Sequence, residues 1–369
     1  MEYGFLLSAV ALSKVFAYRC IEGKRVVEVT GSPEEPFRMG MAKLSALLGE
    51  SRTAEEILSK ETLDWAEEEL EWCSENGVRA LWIGEDDYPR RLRECCDAPL
   101  ILYCRGGISL NPERALAIVG TRKATWNGRS ACTRTVRELA RLAPPPVIVS
   151  GLAFGIDAAA HTAALEAGIP TVAVVPSGLD TVYPSSHREL ASRIAQNGAL
   201  VTDFPRGTAP QVSHFIRRNR IIAGMADATL LGESYIKGGG LITTSLANSY
   251  DREVFAFPGR LTDASFAGCN NLIATNQARL VTGAAEIAET MGWSYPKPRG
   301  KANGSALPFP ASGEGSRILA LLKEEAPLDF ERILELTGLP FGTLATLLAE
   351  MEINGEVISL QGRKYAPSR

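Results

Sequence analysis

Between about residues 114 and 292 the chain repeats one pattern: a short apolar run, then a helix-length segment of mixed polarity. The runs are Leu116–Val119, Val147–Val149, Thr171–Val175, Leu200–Thr202, Thr229–Leu231, Val254–Phe257 and Arg279–Val281. They lack the apolar–polar alternation of a strand with one wet face, so both faces are expected to be buried. Such strands separated by helices predict an α/β fold with a doubly wound parallel sheet.

The flanks read differently. Residues 1–105 look mainly helical, with helical spacing over Leu63–Cys73, a short strand over Ala80–Ile83 and a turn at Asp86–Pro89. The apolar run within Met1–Leu12 follows Glu2 and no basic residue, so it reads as a first helix and not as an export signal. No stretch reaches the roughly 20 apolar residues of a membrane span, and a cytoplasmic location without membrane contact is expected. Residues 294–315 are rich in Pro, Gly and Ser and predict a linker between a 106–293 domain and a 316–369 domain. In the last segment a helix over Ser316–Lys323, a second begun by a capping Asp329, a third after Gly338 and Pro340, and a wing over Val357–Tyr365 make a winged helix-turn-helix.

Composition narrows the function. The 369 residues carry a formal net charge of -4, which excludes a general polycationic coat for nucleic acid; an anion site must be a local patch. The seven cysteines form no C-x-x-C pair, and only His161, His187 and His214 could join them, so no metal and reduced thiols are expected.

In an open parallel sheet ligands bind beyond the carboxyl ends of the strands. There the sequence places Gly120-Thr121-Arg122-Lys123, Ser150-Gly151, Gly178, Arg206, then Lys237-Gly238-Gly239-Gly240-Leu241, and Gly259-Arg260. A glycine at one such strand end is ordinary turn geometry; six such strand ends in one sheet, with Arg and Lys among them, point to anion contact through backbone N–H groups. Between the fourth and fifth strands lie Phe215, Arg217, Arg218, Asn219 and Arg220. Guanidinium forks suit phosphate, Asn can bond sugar or base, and Phe215 either stacks on a base or joins the core. Arg220 is a candidate for pairing with an internal carboxylate.

Several enzyme readings fail at the sequence. Neither G-x-G-x-x-G nor G-x-x-x-x-G-K-S/T is present, so no cofactor is expected. Ser150, Asp157 and His161 hint at a hydrolase, but Asp157 and His161 sit four apart on one helix face and predict a structural Asp–His contact.

Taken in order, AIVGTR (117–122), SGLAFGIDAAAH (150–161), GLDTVYP (178–184), TDFPRGT (202–208), RRNRIIAG (217–224), GGGLITT (238–244) and VFAFPG (254–259) resemble the DprA/Smf family of DNA-processing proteins, as does YPRRL (88–92). The resemblance covers roughly residues 80–292. It implies an extended Rossmann-like domain that binds single-stranded DNA, forms a homodimer and hands the strand to the recombinase RecA in natural transformation, with no catalytic step. By position it implies phosphate contacts at Thr121-Arg122, Ser150-Gly151, Arg218-Asn219-Arg220 and the 237–241 loop, with Phe215 near the DNA. Two departures stand out: Gly238-Gly239-Gly240 where the family often has Ser-Gly-Ser, and Ile216 where it often has Pro. The alternative is a nucleotide phosphoribohydrolase on the same fold, but its PGGxGT-x-x-E signature finds no Glu in register here. In the terminal module the third helix carries Glu350 and Glu352 and no base, with Arg363 and Lys364 confined to the wing, which predicts protein contact and not duplex reading.

Overall fold

The apolar runs become the centre of one mixed sheet. A computed structural model of the protein describes residues 3–294, 313–353, 356–360 and 364–367. The chain divides into two compact units, Met1–Lys297 and Pro298–Arg369. In the first, nine strands follow in sequence: β1 (Arg79–Trp82), β2 (Ile101–Gly106), β3 (Ala115–Val119), β4 (Val147–Ser150), β5 (Thr171–Val174), β6 (Ala199–Thr202), β7 (Ala228–Leu231), β8 (Glu253–Ala256) and β9 (Arg279–Leu280). Their order across the sheet is β1-β2-β6-β5-β4-β3-β7-β8-β9.

From β6 to β9 every neighbouring pair is parallel. Strands β3 to β7 are buried throughout, as expected of apolar runs covered by helices on both faces. The chain enters at β3, winds through β4, β5 and β6 to one side, then returns beside β3 to start β7 and winds the other way. The connections leaving β3 and β7 therefore diverge, and a crevice opens at their carboxyl ends.

Residues 79–106 add a feature that helical periodicity did not show. Strand β2 pairs antiparallel with β6, and β1 with β2, so the sheet continues into the first hundred residues. Position 105 lies within β2, and one apolar core runs from Ala9 to Trp293. The early apolar segment is the helix Tyr3–Val15, whose Ala9–Leu12 are fully buried in that core. Among the described residues, no single helix is long and apolar enough to cross a membrane.

The second unit contains helices Gly313–Glu325, Phe330–Thr337 and Phe341–Ile353 and a small antiparallel sheet ordered β10-β12-β11, with β10 at Leu328–Asp329, β11 at Val357–Leu360 and β12 at Lys364–Pro367. Asp329 caps as expected, its carboxylate accepting the Arg332 N–H at 2.8 Å, and Gly338 ends that helix in the left-handed region at φ 66°. Of the proposed 294–315 linker, residues 295–312 lie outside the described residues, as does Arg363.

Candidate nucleic-acid interface

The crevice at the switch point is a pocket of about 640 Å³. Its floor is backbone: Gly120 and Thr121 after β3, and Gly238, Gly239 and Gly240 at the start of the helix Gly240–Ser249. The two segments touch closely. A Cβ on Gly240 would fall 2.7 Å from Leu231 Cδ1 and 3.3 Å from the Gly120 Cα, so glycine is needed for the approach. Thr121 is fixed by its N–H donating to the Glu233 carbonyl at 2.8 Å. Among the described residues the Gly239 and Gly240 amides have no hydrogen-bond acceptor, and they stand at the positive end of a ten-residue helix. Free amides at the positive end of a helix suit an anion.

One wall is the helix Val212–Gly224. Phe215, Arg218, Asn219 and Ile222 share a face at helical spacing and line the pocket. Phe215 meets Tyr183 edge-on with centroids 5.4 Å apart, and the Arg122 guanidinium lies 4.6 Å over its ring. Exposed Val212, Ile216 and Ile242 form an apolar rim. The pocket thus offers an amide floor, a cation stacked on an aromatic ring, and apolar edges, a chemistry that suits an anion beside a flat ring.

The arginines divide by face. Arg217 and Arg220 do not enter the pocket; both reach Asp203 just past β6, at 2.8 Å and 2.5 Å. Arg217 also lies 4.5 Å over the Tyr18 ring, and Arg220 donates to the Asp97 carbonyl. A buried carboxylate demands such partners, and it takes two of the three guanidinium groups out of reach of a ligand. Arg218 lines the pocket with its bonds turned inward: it donates to the Gly151 carbonyl at 2.5 Å, to the Val174 carbonyl, and through Nε to Asn219 Oδ1 at 3.0 Å. Burial lowers its pKa to about 10, which leaves it charged at neutral pH. Asp157 lies 4.0 Å away; burial raises its pKa, opposed by the Arg218 charge.

Other expected contacts fall elsewhere. The Ser150 hydroxyl is buried and donates to the Ile118 carbonyl at 2.6 Å, and Gly151 lies beneath Arg218. The Leu241 side chain turns to the core, Lys237 stands exposed outside the pocket lining, and Lys123 lines a neighbouring groove. The expected Asp157–His161 contact is absent among the described residues. Asp157 instead accepts the Gly151 N–H at 3.2 Å. His161 accepts the Leu152 N–H on Nε2 and bonds Thr171 Oγ1 through Nδ1 at 2.7 Å. Backbone groups at the end of β4 outcompete the i,i+4 pairing. Ser150, Asp157 and His161 therefore form no nucleophile–base chain. Tyr183, which the sequence reading gave no role although it lies in the GLDTVYP segment, sits in the pocket.

The family model for DNA recombination-mediator protein A matches residues 79–292, and that for the DprA winged helix domain matches residues 303–363. The chain belongs to the DprA/Smf family. It is 34% identical over 294 residues to the putative DNA processing protein DprA of Mycobacterium tuberculosis, covering 76% of this chain and 74% of that protein. The solved DprA of Streptococcus pneumoniae superposes with a TM-score of 0.63 at 30% identity, over 79% of this chain and 97% of that one. DprA from Helicobacter pylori, whose structure was described for its single-stranded DNA binding mode, superposes with a TM-score of 0.53 at 28% identity, over 59% of this chain and 97% of that one.

Proposed function

We propose that this protein binds single-stranded DNA in the switch-point pocket and delivers it to RecA in transformation or recombination, acting in the cytoplasm as a homodimer and without catalysing a reaction. The supporting observation is the meeting, in one pocket, of the Gly239 and Gly240 amides with the stacked Arg122–Phe215 pair. Thr121, Arg122, Arg218 and the 238–240 backbone hold phosphate, Asn219 bonds sugar or base, and Phe215 and Tyr183 take bases. Ser150, Gly151, Arg217 and Arg220 serve by holding the wall in place, and Lys123 and Lys237 add positive field from outside the pocket. The contacts are to backbone and ring faces, so binding is insensitive to base sequence.

The test is a titration of labelled oligo-dT and matching duplex against salt. Wild type prefers the single strand. Arg122→Ala weakens that binding and reduces the salt slope by about 0.7 per lost phosphate contact. Equal affinity for duplex and single strand would defeat the reading. Release of free base from nucleoside monophosphates would favour the phosphoribohydrolase alternative.

A further inference from the structure

Beside the pocket lies a larger groove, of about 1000 Å³, between the helices Trp126–Leu139 and Ile156–Glu166. Six cationic side chains and two carboxylates line it, in a chain whose net charge is -4. The charge is organised. On the first helix Trp126, Arg129, Thr133 and Arg137 recur at helical spacing along one side, and Arg141 continues the row just past the helix end. A solvated helix face mixes signs; this one is almost wholly basic.

The carboxylates do not neutralise it. Glu166 pairs with Arg137 at 2.9 Å, but both are about half exposed, so the pair is weak and exchangeable for phosphate. Glu138 lies 3.9 Å from Arg134. Among the described residues Lys123 and Arg141 have no carboxylate partner. Two aromatic rings accompany the charge: Trp126 is 74% exposed and Phe154 is 48% exposed, the latter held edge-on by His187 with centroids 4.7 Å apart. An exposed Trp in a row of arginines costs solubility unless a flat partner covers it. The groove and the pocket share Arg122.

We propose that this groove is a continuation of the single-strand track, in which Arg129, Arg137 and Arg141 take phosphates and Trp126 and Phe154 take bases. The inference rests on the single-strand reading of the neighbouring pocket. Trp126 to Arg137 spans about 16 Å of helix, enough for a few nucleotides beyond those in the pocket. Exposed rings beside the arginines favour a nucleic-acid strand over an acidic protein face, because a strand supplies both negative charge, in its phosphates, and flat surface, in its bases.

The test uses the full chain and an oligo-dT length series, from strands that fill only the pocket to strands several nucleotides longer. Wild type gains affinity with length. Arg129→Ala/Arg141→Ala and Trp126→Ala, all on exposed side chains, keep the short-strand affinity and lose most of that gain. Trp126→Ala weakens the longest strand roughly tenfold. The double variant lowers its salt slope by about 1.4. Unaltered thermal midpoints establish that both variants fold. If wild type binds no strand of any length, the single-strand reading itself falls. If wild type binds but shows no length gain, or the variants match it at every length, only the groove assignment falls, and an acidic protein becomes its expected ligand.

Discussion

At the residue scale, Gly151 is fixed by what lies over it. A Cβ there would fall 2.3 Å from the Arg218 guanidinium, which is buried and already bonded to two carbonyl groups. Gly151→Ala is expected to cost about 1–3 kcal/mol in denaturant unfolding and to weaken strand binding, because Arg218 must leave its place. Gly239 is the contrast, with φ -63° and nothing within 4 Å of an added Cβ. Gly239→Ala is expected to leave the unfolding midpoint unchanged; a large loss would show that the loop is tighter than its geometry. The glycines were legible in the sequence as strand-end turns, but which one faces a ligand and which lies beneath an arginine was not. The same holds for Arg217, whereas for Arg220 an internal carboxylate was expected from the sequence and Asp203 supplies it. Their partner Asp203 stands 14 and 17 residues earlier, and only the return of the chain beside β3 brings the three together.

At the scale of elements, His161 ties its helix to the sheet. Its Nε2 accepts from the Leu152 N–H, so Nδ1 carries the proton and donates to Thr171 Oγ1, which donates to the Ile148 carbonyl. A protonated ring cannot accept the Leu152 bond, and burial lowers the pKa to about 3. The folded value lies below the unfolded one of about 6.5, so this contribution to stability is full above pH 6.5 and is lost as pH falls toward 3. Urea unfolding at pH 7.5 and 5.5 should show a decline approaching about 1.4 kcal/mol per pH unit below 6.5 from this group. Asp157, with its pKa raised by burial, acts in the opposite sense. His161→Gln should flatten the profile; an equal slope in the variant would assign the effect elsewhere. The parallel strands were readable because burial on both faces leaves an uninterrupted apolar run. Strand β2 was not, since Ile101–Gly106 ends in Arg105 and Gly106 and its pairing with β6 joins positions about a hundred residues apart.

At the scale of the whole molecule, each unit closes its own core. The first ends at Trp293; the second is Ile318, Leu322, Ile333, Leu344, Leu348, Met351 and Val357. A fragment of residues 1–297 is expected to melt at the temperature of the large transition of the full chain and to bind oligo-dT as tightly, by calorimetry and titration. A lost or lowered transition would mean that the terminal unit supports the first. The small core of the terminal unit predicts the lower-melting transition. The sheet itself limits how copies of the chain can meet. Its two borders are β1, four residues long, and β9, only two. The β9 border is too short to template another strand, whereas β1 is as long as most strands inside the sheet. At the β9 border a second copy therefore has no sheet to extend, and a homodimer joined on that side is made by side chains on helix and loop surfaces.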